Sequence, residues 1–159
     1  MKTNATRQLD NLGIVYELRD YKVDPEDLGA VKVASQIGLP PSQVFKTLCA
    51  RSNDGVIVLA VVPGDAELDL KALARLAGHR SMSLVAVSEL PRLTGYIRGG
   101  VTALAGKRSY PVYADESMLR HPVIAASAGV RGTQILLAPE DYIRATSATL
   151  GALARALPA

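Results

Sequence analysis

The sequence predicts an α+β fold with a mixed β-sheet. Segments with helical spacing alternate with short β-rich segments, and tight turns rather than helices join most of the strands. The clearest turn is Asp54-Gly55, which separates Gln43–Arg51 from Val56–Val62 and is typical of a β-hairpin. A second hairpin is predicted for Val123–Ser127 and Thr133–Ala138. Because hairpins pair strands antiparallel, these observations favour α+β over a doubly wound parallel sheet.

The first elements are predicted to be a helix, a strand and a second helix. Thr3 or Asn4 can cap the first helix, and Gly13 is placed to end it. Ile14–Tyr21 alternates imperfectly between apolar and polar residues and is interpreted as a strand. Ala30–Ile37 has apolar residues at helical spacing, which predicts the second helix.

After the Asp54-Gly55 hairpin, the pattern again alternates between helices and short strands. Asp69 can cap a helix, and prolines occupy first-turn positions at the start of two others. The predicted elements are a helix over Leu70–Ala77, a strand over Ser83–Val87, a helix from Ser88 that stops by Gly95, a strand over Pro111–Ala114, a helix from Pro139, and an amphipathic tail with Leu150, Leu153, Ala154 and Leu157.

Length and composition favour one domain over residues 1–159. The chain is 48% hydrophobic and 21% charged, and no apolar segment approaches the roughly 20 residues that span a bilayer. The N-terminal residues lack the apolar region of a secretory signal, and a single cysteine cannot form an internal disulfide. We therefore expect a cytoplasmic protein with no membrane association.

Lys46 is the first candidate for a functional residue. It lies on the first strand of the hairpin and shares a face with Val44, Leu48 and Ala50. An ammonium group among apolar side chains needs a partner, loses its proton, or awaits a polar or anionic ligand, because burial of an unpaired charge is costly. The alternative is that this strand lies at a sheet edge, where a solvated Lys46 protects against aggregation.

Other reaction chemistries lack support in the sequence. His79 and His121 are isolated and expected at the surface, so no metal site is predicted. Cys49 is three positions from Lys46 and points to the opposite strand face, which favours a small buried residue over an activated nucleophile. No nucleophile elbow, P-loop or dinucleotide fingerprint is present.

Two glycine-rich segments are candidate ligand-binding loops. Gly99-Gly100 and Gly129 permit main-chain N–H groups to approach a carbonyl oxygen or developing oxyanion, although such glycines commonly serve only tight turns. Ser127 can bind a ligand or close its own turn. The stretch between Arg92 and Arg131 contains six basic and two acidic residues, which is compatible with phosphate binding or with a solvated face.

Several motifs together resemble the YbaK/EbsC-type aminoacyl-tRNA deacylases, relatives of the editing insertion of bacterial prolyl-tRNA synthetase. The resemblance covers nearly the whole chain in order. The matching stretches are K-T-N-A-T-R-Q-L-D at the start, Tyr21 with Asp24, V-F-K-T-L around Lys46, E-L-D-L-K at 67–71, T-G-Y-I-R-G-G at 94–100, S-A-G-V-R-G at 127–132 and A-P-E-D-Y at 138–142.

The resemblance implies a strongly curved, half-barrel mixed sheet flanked by helices, and a trans-editing ester hydrolase. Its expected substrate is mischarged tRNA, typically cysteine on proline tRNA, with prolyl-tRNA synthetase left open as a partner. The family's indispensable lysine corresponds to Lys46, and its pocket tyrosine, loop glycine and pocket serine correspond to Tyr21, Gly99 and Ser127. No metal or organic cofactor is implied. In cysteine-specific members the substrate thiol is thought to attack its own ester.

The sequence departs from the family pattern in the loop 101–106. Ala103 and Ala105 stand where the family commonly has proline and glycine, which puts the aminoacyl group in question more than the reaction. Two alternatives stay open: a deacylase for another small aminoacyl group such as alanine, and a non-catalytic module that binds tRNA or a synthetase.

Overall fold

Helices and short strands alternate along the computed structural model, which describes residues 2–157. Its helices are α1 (Asn4–Asn11), α2 (Ala30–Ile37), α3 (Leu70–Ala77), α4 (Leu90–Thr94) and α5 (Pro139–Thr146). Its strands are β1 (Glu17–Asp20), β2 (Phe45–Ser52), β3 (Ile57–Pro63), β4 (Ala66–Leu68), β5 (Met82–Leu84), β6 (Val112–Asp115), β7 (Ile124–Ser127), β8 (Thr133–Leu137), β9 (Thr149–Gly151) and β10 (Ala154–Ala156).

The largest sheet has five strands in the order β5-β2-β3-β6-β9. β2 pairs antiparallel with β3 and β5, whereas β3–β6 and β6–β9 are parallel pairs. The predicted Asp54-Gly55 hairpin is therefore confirmed, with Lys46 opposite Val62. The α+β class with a mixed sheet is also confirmed.

The remaining strands form two smaller antiparallel sheets. One has the order β1-β8-β7 and contains the predicted second hairpin, and the other pairs β10 with β4. A parallel bridge between Val44 and Ala125 links the five-stranded and three-stranded sheets. The backbone thus has two linked sheets and a small two-stranded ribbon.

The two faces of β2 contribute to separate apolar clusters. Phe45 and Cys49 pack with residues of α1, β6, β7 and β8, whereas Leu48 and Ala50 pack with residues of α3 and β3. This division follows the alternation of side chains along the strand. β2, like the neighbouring β3, therefore contributes side chains to both main clusters.

Local capping determines where several helices begin and end. Thr3 forms a capping box with Thr6 at the start of α1, and Asp69 accepts the Ala72 N–H at the start of α3. Gly38 and Gly78 adopt left-handed conformations directly after α2 and α3.

No helix in residues 2–157 has the length and apolarity to cross a membrane.

The predicted amphipathic tail forms two short strands. These are β9 and β10, with Leu153 buried between them in sequence and Leu157 exposed. The buried Asp115 carboxylate explains this result, because it accepts hydrogen bonds from the N–H groups of Leu153 and Ala154 at 2.8 and 2.9 Å. These main-chain donors are thus used by a side chain from β6.

Two strands have other limits than the sequence pattern predicts. The segment predicted as Ile14–Tyr21 is a strand only at β1, since Ile14 packs in the core and donates its N–H to Leu9, while Val15 is 86% exposed. The segment predicted as Ser83–Val87 is a strand only at β5. There the Val85 N–H donates to the Cys49 carbonyl and a short 3₁₀ helix follows.

Candidate functional site

A cavity of about 290 Å³ opens beside the exposed edge of β2. β5 pairs only with residues 50–52 of β2, and the bridge to β7 occurs at Val44, so residues 45–49 have no strand partner on this side. Residues before and within α2 form one wall, and residues around β5 and α4 form the opposite wall. The gap between the two linked sheets therefore creates the space for a ligand.

Lys46 lies in the lining of this cavity and is half-buried. Burial lowers the pKa of its ammonium from the ordinary value, and the charges of Asp65 and Glu67 partly oppose that effect. Within residues 2–157, no carboxylate lies close enough to form an ion pair with Lys46. The ammonium is thus available to an anionic or polar ligand.

The two predicted glycine loops meet next to the cavity. Gly99 lines it with a φ of 87°, whereas the buried Gly100 lies behind it. A Cβ atom on Gly100 would lie 3.2–3.3 Å from main-chain atoms of Val130 and Arg131. Close backbone packing therefore requires glycine at position 100, although Gly100 is not part of the lining.

Gly129 and Tyr21 also lie outside the cavity lining. Gly129 has a φ of 93°, and a Cβ atom there would lie 3.0 Å from the Tyr96 ring. Tyr21 packs on the cluster that contains Val44 and donates its N–H to the Gly132 carbonyl. Both residues support the lining from behind, and their direct contact with a substrate stays a prediction.

Ser127 lines the cavity and closes its own turn at the same time. Its hydroxyl accepts the Gly129 N–H at 3.1 Å, and it lies directly opposite Gln134 in the β7–β8 pair. Side chains of directly opposed residues share a face of the sheet. The structure thus shows the turn-closing role of Ser127, and ligand binding by its hydroxyl stays a prediction.

Sequence reasoning missed Gln134, which lines the cavity from β8. The residue is 6% exposed, and its Oε1 atom is buried without a hydrogen-bond partner within the described chain. The sequence contained a clue, since Gln134 is a polar residue inside the apolar stretch Thr133–Leu137. An amide in a fully buried strand ordinarily has a hydrogen-bonding role.

The cysteine and histidines have structural surroundings. Cys49 is buried, and burial raises the pKa of its thiol to about 11, which disfavours a thiolate. His79 and His121 are partly buried rather than at the surface, with His79 3.0 Å from Asp54 and His121 edge-on to Phe45. Residues 2–157 contain no cluster of three or more His, Cys, Asp or Glu side chains suited to a metal ion.

The unusual loop 101–106 is held in place by α1 and a tyrosine. Ala105, which stands where the family commonly has glycine, has a φ of 47°. Its N–H donates to Gln8 Oε1 at 2.9 Å, and the Tyr96 hydroxyl donates to the carbonyls of Leu104 and Ala105. These contacts fix the loop without the proline and glycine of the family pattern.

The fold and the cavity define a class of α+β domain in which a half-buried lysine lines an open cavity. The chain belongs to the aminoacyl-tRNA editing domain family, which matches residues 25–145. This finding confirms the family resemblance that the motifs around Lys46 and the glycine loops carry.

Curated relatives agree with this assignment. The chain is 37% identical over 146 residues to EbsC of Enterococcus faecalis, a proposed Cys-tRNA(Pro)/Cys-tRNA(Cys) deacylase, covering 92% of this chain and 89% of EbsC. It is 31% identical over 127 residues to the multifunctional Ser/Thr-tRNA deacylase ProXp-y of Escherichia coli K12, covering 77% and 76%.

A solved structure agrees on the fold. A proposed trans-editing enzyme for prolyl-tRNA synthetase superposes with a TM-score of 0.82 at 24% identity, covering 98% of this chain and 99% of that one. At this identity the likeness concerns the fold, and it confirms the expected architecture.

Proposed function

We propose that this protein hydrolyses the ester bond between an amino acid and the terminal ribose of a mischarged tRNA, acting in trans. The preferred substrate in this proposal is cysteine on proline tRNA. The observation that carries it is the half-buried ammonium of Lys46, which shares a cavity with the Gly99 loop and has no carboxylate partner in residues 2–157. Family membership and the similarity to EbsC support the reaction class.

Lys46 acts in this proposal by binding and by electrostatic stabilisation. An ammonium is a poor general base near neutral pH, but it stabilises the negative charge that develops on an ester oxygen or holds the terminal phosphate. The Gly99 loop lines the same cavity, and its main-chain N–H groups other than that of Gly100, which donates to the Ile97 carbonyl, are the second set of donors in this proposal. Water, or the substrate's own thiol, forms the new bond to the carbonyl carbon. The bond from this carbon to the ribose oxygen breaks, and the ribose oxygen leaves with a proton.

The raised pKa of Cys49 supports a reaction without a cysteine nucleophile from the protein. The thiol is mostly protonated near neutral pH, so it is a weak nucleophile. The attacking group in this proposal is therefore supplied by water or by the substrate.

The proposed partners are mischarged tRNA and prolyl-tRNA synthetase, and the proposed location is the cytoplasm. A match of 32% identity to a proline–tRNA ligase of Trichlorobacter lovleyi supports the synthetase link. It covers 57% of this chain and 16% of the ligase. Pull-down of the synthetase with and without tRNA tests this partner directly.

The test of the proposed function is deacylation of cysteinyl- and alanyl-tRNA(Pro) by the wild type and two lysine variants. We expect Lys46→Ala to lower kcat/KM for the wild type's substrate by at least about 100-fold, the scale typical of losing one group that stabilises an oxyanion. Lys71→Ala, which removes an exposed lysine outside the cavity, is the matched control and should leave the rate unchanged. Equal rates for Lys46→Ala and wild type would contradict the proposal. Faster hydrolysis of alanyl-tRNA than of cysteinyl-tRNA would make alanyl-tRNA the substrate in place of cysteinyl-tRNA.

A further inference from the structure

Gln134 is the buried polar side chain that faces the cavity. Seven polar or charged side chains are buried in residues 2–157, and among them Gln134 alone lines the cavity. It extends from β8, the central strand of the β1-β8-β7 sheet, next to Ser127 on β7. Its backbone is therefore held by strands on both sides.

The unpartnered Oε1 atom indicates that the amide of Gln134 awaits a ligand. A buried carbonyl without a hydrogen bond destabilises the fold, and native proteins rarely retain one without a role. Within the described residues no donor reaches this oxygen, although Ser127 lies opposite on β7, where its hydroxyl accepts the Gly129 N–H. A hydrogen-bonding group of the ligand would supply the missing partner.

The charges around the cavity decide which part of an aminoacyl group reaches Gln134. No carboxylate lines the cavity, whereas Lys46 and Arg98 do. A cationic α-amine would therefore meet an apolar wall and like charges, so it stays at the solvent side, and the amino-acid side chain points inward.

We propose that the Gln134 amide recognises a hydroxyl or thiol on the side chain of the aminoacyl group, and so discriminates against alanine. A hydroxyl or thiol both donates and accepts, and a half-turn of the amide presents either its oxygen or its nitrogen. A site built to bond such a group rejects the analogue that lacks it, because its own polar atom then stays unpaired. This inference rests on the proposed function, because it assigns the substrate class of the same site.

The experiment separates recognition from hydrolysis by using stable analogues in which an amide replaces the ester to the terminal adenosine. Binding of the seryl and alanyl analogues is measured for the wild type, Gln134→Met and Gln36→Met. Methionine keeps the length of glutamine without its amide, and Gln36 is an exposed glutamine of α2 outside the cavity. We expect the wild type and Gln36→Met to bind the seryl analogue about tenfold more tightly, in line with one net hydrogen bond. In Gln134→Met the two affinities should become equal.

Deacylation of cysteinyl-, seryl- and alanyl-tRNA provides the second readout. The preference in kcat/KM for the first two over alanyl-tRNA should shrink by about tenfold in Gln134→Met. Equal binding of the two analogues by the wild type, or the same preference in Gln134→Met as in wild type, overturns the role of Gln134. If the wild type hydrolyses none of these tRNAs but still prefers the seryl analogue, the proposed function fails while the recognition stands.

Discussion

At the scale of single residues, Lys46 combines burial with a charge that has no ion-pair partner in residues 2–157. Its neighbours on the strand face are apolar, and the carboxylates of Asp65 and Glu67 act on it only from a distance. A cation in such surroundings destabilises the fold, and a ligand that brings negative charge relieves that cost. The residue is therefore suited to binding rather than to stability.

The lowered pKa of Lys46 predicts how ligand binding changes with pH. As pH rises through the folded-state pKa, which lies below 10.5, the ammonium loses its proton and its attraction for the ester or phosphate. We expect affinity for an amide-linked analogue to fall from neutral towards about pH 10, with a flatter profile in Lys46→Met. The analogue avoids alkaline hydrolysis of the ester.

Stability should change in the opposite direction over the same window. The unfolded chain keeps the Lys46 proton up to about pH 10.5, so it binds more protons than the folded chain there, and the contribution of this residue to stability rises with pH. Chemical denaturation of wild type and Lys46→Met at several pH values isolates the contribution of Lys46 to the free energy of unfolding. A Lys46 contribution that decreases with pH would contradict the direction of the pKa change.

The Cys49 thiol should be nearly inert in the folded protein. With a pKa of about 11 and a buried side chain, it is almost wholly protonated near about pH 8. We expect iodoacetamide to modify it slowly in the native protein and rapidly after unfolding, as measured by mass spectrometry. Modification at the rate of a free thiol in the native state would show that the strand opens readily.

At the scale of elements, the loops 97–100 and 129–132 depend on each other. Their main chains approach closely at Gly100, and Arg131 donates from its Nε to the Arg98 carbonyl at 2.7 Å. Thr3 of the α1 cap donates to the Ala128 carbonyl at 2.8 Å, so the second loop is also fixed from the N-terminus. The wall of the cavity near Gly99 is thus set by contacts between distant segments.

Gly100→Ala should disturb this wall more than it disturbs the fold. The added methyl group pushes against Val130 and Arg131, which should cost about 1–3 kcal/mol of unfolding free energy and lower kcat/KM at least about tenfold. Gly78→Ala is the control, because Gly78 has a φ of 80° but no atom within 4 Å of an added Cβ. It should cost about 1–2 kcal/mol while activity stays normal, and a similar activity loss in both variants would refute the argument.

Ala105→Gly should stabilise the protein. The left-handed conformation of Ala105 costs about 1–2 kcal/mol, and glycine avoids that cost. Glycine also raises the entropy of the unfolded chain, and this effect offsets only part of the gain. We expect the unfolding free energy to rise by up to about 1 kcal/mol, measured in urea. Ala72→Gly in α3 is the control and should lower it by about as much. A loss in both variants would mean that the loop does not strain Ala105.

Local signals explain which elements were predictable. The Asp54-Gly55 hairpin and the α3 cap at Asp69 depend on residues next to each other, and both were predicted. The strands of the tail were not predicted, because Asp115, nearly forty residues earlier, accepts the N–H groups of Leu153 and Ala154. The site divides in the same way. The unusual lysine could be found on its own strand, whereas Gln134 became visible only when the fold set its amide against the cavity.

At the scale of the whole molecule, the basic stretch 92–131 does not form one patch around the site. Arg98 lines the main cavity, and Arg131 donates a hydrogen bond to the Arg98 carbonyl. Arg120 instead lines a separate depression with Asp65 and Glu116. The excess of positive charge in the sequence is therefore divided between different surfaces. Of these three arginines, Arg98 is the one that lines the main cavity.

Salt dependence should distinguish these surfaces. Lys and Arg side chains that contact phosphates release counterions, so tRNA affinity should fall with rising salt. For single strands, log K should fall by about 0.7 per phosphate contact for each tenfold rise in salt. Arg98→Ala should reduce that slope by about one contact. Arg120→Ala, which removes another exposed arginine, should leave the slope unchanged. Affinity that does not respond to salt would exclude phosphate binding by this face.

The pairing of β1 with β8 joins the beginning of the chain to its last third, with Glu17 opposite Leu136. A nascent chain therefore cannot complete this sheet until β8 has left the ribosome, because β1 and β7 both pair with that central strand. Gln8 adds a later requirement, since its amide donates to the Ala145 carbonyl while it holds Ala105. During synthesis the pocket should thus be absent until Ala145 has emerged, so a product that ends before this residue would have no chamber in which to accept a charged tRNA end.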